Sequence, residues 1–148
     1  MLKLLPPIWA LAYLLITAAA SYLLGWPLLP GLPVAWLSIV LMMVGVALAA
    51  AAFMLFRREH TESDPTSAAN RKLATTGPFR VTRNPMYLGL VMVTLSVAFW
   101  AGTWPMFAPP IALFATANWI HIPFEEEKMR RQFGDAFEAY AREVRRWI

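Results

Sequence analysis

Cysteine is absent from the 148 residues, and histidine occurs only twice. That excludes disulfides, a thiolate metal site and a cysteine nucleophile, and two histidines far apart do not make a protein-built zinc site, so no metal is expected. Charge is scarce too: Asp, Glu, Lys and Arg make up 15% of the chain against 59% hydrophobic residues. Soluble domains carry about 25% charged residues, so this composition belongs in a membrane. The net charge of +4 is too small, and too plainly divided between two segments, to argue for nucleic acid; anionic membrane lipids explain it better. Glycine-rich phosphate loops, Ser/His/Asp triads and dinucleotide fingerprints are also missing.

What is present is a succession of apolar runs within a single domain, 1–148. The predicted fold is all-α, with four transmembrane helices at about 6–24, 34–56, 85–101 and 106–122. Ala18-Ala19-Ala20 resembles a signal-peptidase site, so a cleaved secretory signal is an alternative for the first run, but the further spans make an uncleaved helix the expectation. The uncharged turn 25–33 is full of helix breakers and places Trp26 and Trp36 at a membrane interface. Gly45 and the alanines from Ala47 to Ala52 give the second span a small-residue face for close packing with another helix or a second copy. Oligomeric state is not fixed by the sequence.

Lys3 apart, the charges fall into two segments, 57–84 and 123–148. In the second, Met129, Phe133, Phe137, Tyr140, Val144 and Trp147 recur three or four residues apart, which predicts a C-terminal amphipathic helix on the membrane surface or folded over the end of the bundle. Four spans put both charged segments and both termini on one side, and the positive-inside rule makes that side the cytoplasm. The expected location is the inner (cytoplasmic) membrane, as a multi-pass protein.

One polar stretch interrupts the apolar runs: Thr76-Gly77-Pro78-Phe79-Arg80-Val81-Thr82-Arg83-Asn84-Pro85-Met86-Tyr87-Leu88-Gly89. Pro78 and Pro85 push the residues before them away from helix, so the chain turns twice. Pro85 then suits the first helical turn, with Asn84 as N-cap. The free N–H groups of that helix start, beside Arg83, could receive an anionic group; the plainer reading is a positively charged loop before a span. If the last span runs on through Pro123, His121 and Glu125 share a face. Such a constellation suits a polar, charged small molecule whose reaction needs positioning more than acid–base power.

The stretch from Gly77 to Gly89, followed after two spans by Glu125-Glu126, then Phe133-Gly134 and residues 140–144, resembles the integral-membrane methyltransferases typified by isoprenylcysteine carboxyl methyltransferase, with phospholipid methyltransferases as relatives. The resemblance covers about half the chain. It implies a helical membrane enzyme that binds S-adenosylmethionine at the cytoplasmic face. By position, the cofactor would be held by Arg71, Lys72, Leu73 and Ala74, by Phe79, by Asn84, Pro85, Met86 and Tyr87, and by Glu125. Arg83 is the candidate catalytic residue, orienting an anionic substrate or the cofactor carboxylate, and His121 is a further substrate-binding candidate. The implied acceptor is lipophilic, an isoprenylcysteine-like carboxylate, entering from the bilayer. A phospholipid amine or a small thiol is the alternative acceptor, and a non-catalytic protein binding anionic lipid or a partner is the alternative class.

Overall fold

A computed structural model describes residues 6–29, 34–58 and 73–148. Among them there are helices and turns and no strand. The α-helices are α1 (Pro6–Leu23), α2 (Ala35–Arg58), α3 (Pro85–Ala101), α4 (Ala108–Thr116), α5 (Ile122–Phe133) and α6 (Asp135–Glu143). Short 3-10 turns lie at Gly77–Arg80 and Trp104–Phe107, and a π turn at Ala117–His121 joins α4 to α5.

Two helices, α1 and α2, are long and apolar enough to cross a membrane. Their large side chains point outward: Leu15 is 61% exposed, Ile16 66% and Met43 66%. So much exposed hydrocarbon is unfavourable in water and is matched by lipid. The third apolar helix, α3, is shorter at 17 residues. α4 has only 9 residues and gains length by running through the π turn into the charged α5. Full spanning length is thus established for two of the four expected spans.

Helix boundaries follow local chemistry. Pro85 opens α3 at the first helical position, where its missing N–H costs nothing. Gly102 closes it in a left-handed conformation at φ 63°, its N–H returned to the Ala98 carbonyl. Pro123 was the expected weak point of the last span. Inside a helix a proline ring crowds the carbonyl four residues back, and the wider π turn immediately before α5 lets the rod continue without a break. The real break comes later. The single tail helix expected from the apolar repeat is two helices, because the chain turns sharply at Gly134, φ 49° and ψ −125°.

α2 and α3 form the tightest pair. At Gly45 and Gly89 the two backbones touch: a Cβ on Gly89 would stand 2.6 Å from the Gly45 carbonyl oxygen, and one on Gly45 would stand 2.7 Å from that of Gly89. The small-residue face expected on the second span therefore packs within the chain. Polar side chains tie the remaining helices: Tyr13 to Thr116 at 2.9 Å, Ser21 to Thr103 at 2.9 Å, and Ser38 Oγ–H to the Ser96 carbonyl at 2.7 Å. In an apolar surrounding these groups have no water to turn to.

Where α2 ends, a core of Ala52, Phe79, Phe137 and Tyr140 collects Phe56, Met129, Phe133 and Val144. Five of the six residues in the apolar repeat of the tail are here, so that face covers the end of the bundle. Burial pushes the Tyr140 phenol up to about 12, so at neutral pH it stays a donor, and its O–H bonds the Phe79 carbonyl at 2.7 Å. Tyr140→Phe leaves that carbonyl unsatisfied and is expected to destabilise the fold by about 1–2 kcal/mol, read as a lower melting temperature with unchanged helical content.

Candidate functional site

The segment 73–84 and the tail meet at the start of α3. The Arg83 N–H donates to the Arg145 carbonyl at 3.0 Å. Thr82 Oγ–H and Asn84 Nδ2–H both donate to the Arg146 carbonyl, at 3.1 and 2.9 Å. Asn84 occupies the N-cap position of α3, but its side chain makes no capping bond. The expected cap is thus replaced by a bond to the tail, which is a stronger demand on a buried amide than a cap that water could also satisfy.

Two carboxylates on the first turn of α5 approach this start. Glu125 accepts a hydrogen bond from the buried Tyr87 hydroxyl at 2.6 Å, across 38 residues of sequence. Burial raises the Glu125 carboxyl to about 7, and the Tyr87 hydrogen bond and nearby Lys128 oppose the rise without cancelling it. Glu126 is buried and holds two arginines: Arg83 at 2.8 Å and Arg146 at 2.7 Å.

The other candidates are placed as follows. Arg83 gives Nη2 to Glu126 and Nη1 to the Ala141 carbonyl at 2.8 Å, which leaves its buried Nε–H unpartnered among the described residues. His121 is buried, its ring 6.1 Å from that of Tyr87. Pro85 is fully buried and Met86 packs against the Phe79 cluster, as do Leu73 and Ala74. The Phe79 ring itself is buried against Phe56, 5.2 Å between centroids. Arg71 and Lys72 lie outside the described residues. The structure thus brings Arg83, Asn84, Tyr87, His121 and Glu125 together and directs Phe79 into the core.

Three residues at this place were not candidates from the sequence. Glu126 stands inside an acidic run in which nothing marks it from its neighbours. Arg146 is one of several arginines in the tail, and nothing local distinguishes it. Asn118 lies in an apolar run, where an amide needs a partner, and that was the available signal: its Oδ1 accepts from Trp147 Nε1–H at 3.0 Å. Trp147 then packs against Tyr87, Ala117 and Ile122.

What the arrangement can do chemically is bind. A half-buried carboxylate accepts hydrogen bonds or faces a cation. No nucleophile is presented, and among the described residues no cluster of His, Asp and Glu could hold a metal ion.

An uncharacterized protein of Haemophilus influenzae is 32% identical over 63 residues, which is 43% of this chain and 100% of that protein. No solved structure matches. A family model described as phospholipid methyltransferase matches residues 33–136, a stretch that holds the touching glycines of α2 and α3, the polar start of α3, and Glu125 and Glu126 of α5. That is well over half of the 148 residues, and the chain belongs to the phospholipid methyltransferase family.

Proposed function

We propose that the chain is a membrane methyltransferase that takes its methyl group from S-adenosylmethionine and gives it to a lipophilic, membrane-associated acceptor. The observation that carries this reading is the half-buried Glu125 carboxylate, which the fold holds against the Tyr87 hydroxyl at the start of α3. The residues fit the cofactor in sign. The Glu125 carboxylate suits ribose hydroxyls or an ammonium group. Asn84, Tyr87 and His121 line the same place.

When bound, the sulfonium supplies an activated methyl carbon for in-line displacement. The chain's own work is then to orient and to exclude water. Tyr87 fixes one oxygen of Glu125, Trp147 closes the side next to Tyr87, and α1 to α4 offer an apolar approach from the bilayer. In this reading α3 and the α4 rod complete four spans, with both termini at the cytoplasmic face. The family name favours a phospholipid amine as acceptor, whereas an isoprenylcysteine-like carboxylate would need a free arginine, and Arg83 is largely engaged by Glu126 and Ala141.

Membranes containing the protein, supplied with methyl-labelled S-adenosylmethionine, are expected to move label into the lipid extract. Label that stays in the aqueous phase as a small methylated thiol would reassign the acceptor. No transfer to any fraction by a folded chain that binds the cofactor would leave a binding protein in place of an enzyme.

A further inference from the structure

Glu125 and Glu126 are neighbours with different partners. Glu125 accepts from Tyr87 at 2.6 Å. Both oxygens of Glu126 are taken: Oε1 by Arg83 Nη2 at 2.8 Å and Arg146 Nε at 3.2 Å, and Oε2 by Arg146 Nη2 at 2.7 Å. Arg83 and Tyr87 stand four residues apart at the start of α3, so adjacent carboxylates grip that start at two points. Arg146 is itself tied down, since its carbonyl receives Thr82 and Asn84. Its Nη1 lies 3.5 Å from Asn118 Oδ1, the atom that also receives the Trp147 indole.

The consequence is mechanical. α5 cannot slide or turn against α3 without pulling Glu126 from two arginines, and breaking a buried ion pair leaves an uncompensated charge. Resting on the cofactor reading above, we infer that Glu126 is a positioning residue: clamped by Arg83 and Arg146, it sets where the Glu125 carboxylate stands and does not itself touch the bound molecule. Arg146 acts on the site only through this clamp and the tail. The two neighbouring glutamates therefore divide the work, one facing the ligand and one holding the frame.

The test is a double-mutant cycle in the binding of S-adenosylhomocysteine by the purified full chain, followed calorimetrically, with a melting curve for each variant. Glu126→Gln and Arg146→Gln are each expected to weaken binding roughly tenfold, and the double variant to be about as weak as the worse single one, because both break one clamp. Arg146→Lys keeps the charge but loses the two-point fork onto Glu126, and is expected to recover only part of the binding that Arg146→Gln loses. A double variant weakened by the product of the two single losses, roughly a hundredfold, would mean independent contacts with the ligand and overturns the inference. So does unchanged binding in Arg146→Gln. If Glu126→Gln does not fold, the two Arg146 variants decide: loss with rescue by lysine supports the clamp, and loss without rescue, or no loss, refutes it. A folded wild type that binds no S-adenosylhomocysteine removes the cofactor reading and this inference with it, whereas wild-type binding with multiplicative losses removes this inference alone.

Discussion

Glu125→Gln is expected to weaken S-adenosylhomocysteine binding at pH 8 by roughly 10- to 100-fold, the range for losing a hydrogen bond to a charged group in a half-buried site. The side chain keeps its size and its contact with Tyr87, so the fold should hold, with a melting temperature at pH 8 no lower than that of wild type. The pH dependence makes the expectation sharper. Because burial raises this carboxyl to about 7, it is mostly protonated at pH 6 and mostly ionised at pH 8. Wild-type affinity should then rise roughly tenfold across that interval if the carboxylate is the binding form. In Glu125→Gln that rise should vanish. Stability moves the other way. The folded chain holds its proton from the ordinary value of 4.5 up to about 7, so this group's contribution to stability is present below 4.5 and is lost as pH rises through 7. Equal pH dependence in wild type and variant would show that Glu125 is not the titrating ligand.

Gly89→Leu is expected to abolish the folded state, and the binding site with it. Even one methyl group at this position meets the Gly45 carbonyl oxygen at 2.6 Å and Ala49 at 3.0 Å, and the obstacle is backbone that cannot rotate away. Gly89→Ala should cost about 1–3 kcal/mol, the range for overpacking a tight contact, and a leucine considerably more. The same reasoning applies to Gly45→Leu. The contact matters for function because α3 carries Tyr87 two residues before Gly89, so parting α3 from α2 also moves Tyr87 away from Glu125. Retention of monodisperse, helical protein by Gly89→Leu, with normal melting, would show that α2 and α3 are not packed backbone to backbone.

Much of the frame was legible because its signals are local. α1 to α3 are apolar runs bounded by prolines and glycines, and Pro85 starts α3 where its geometry belongs. The apolar repeat of the tail was also legible, and its face does cover the end of the bundle. Its break at Gly134 was not, because both helices pack on the same core and keep the apolar spacing on either side of the turn. Pro123 misled for a similar reason, since a π turn absorbs it and no residue type announces a π turn.

The site was legible as a place and less so as a set of bonds. Arg83, Asn84, Tyr87 and Glu125 could be assembled from the stretch before α3 and the acidic run after α4. Which glutamate faces Tyr87 and which faces the arginines depends on the rotation of α5, a tertiary quantity. The Asn84 side chain reaches the Arg146 carbonyl, 62 residues away in sequence, and no local pattern encodes that choice over a helix cap. Asn118 is the instructive miss, because an amide in an apolar run had to find a partner and the tail indole was the nearest donor.

The central claim is that the start of α3 and the first turn of α5 together form an S-adenosylmethionine site. Calorimetric titration of purified, folded protein with S-adenosylhomocysteine tests it most directly. Saturable binding of one molecule per chain, weakened in Glu125→Gln, is the predicted result. A folded chain that takes up none would contradict it.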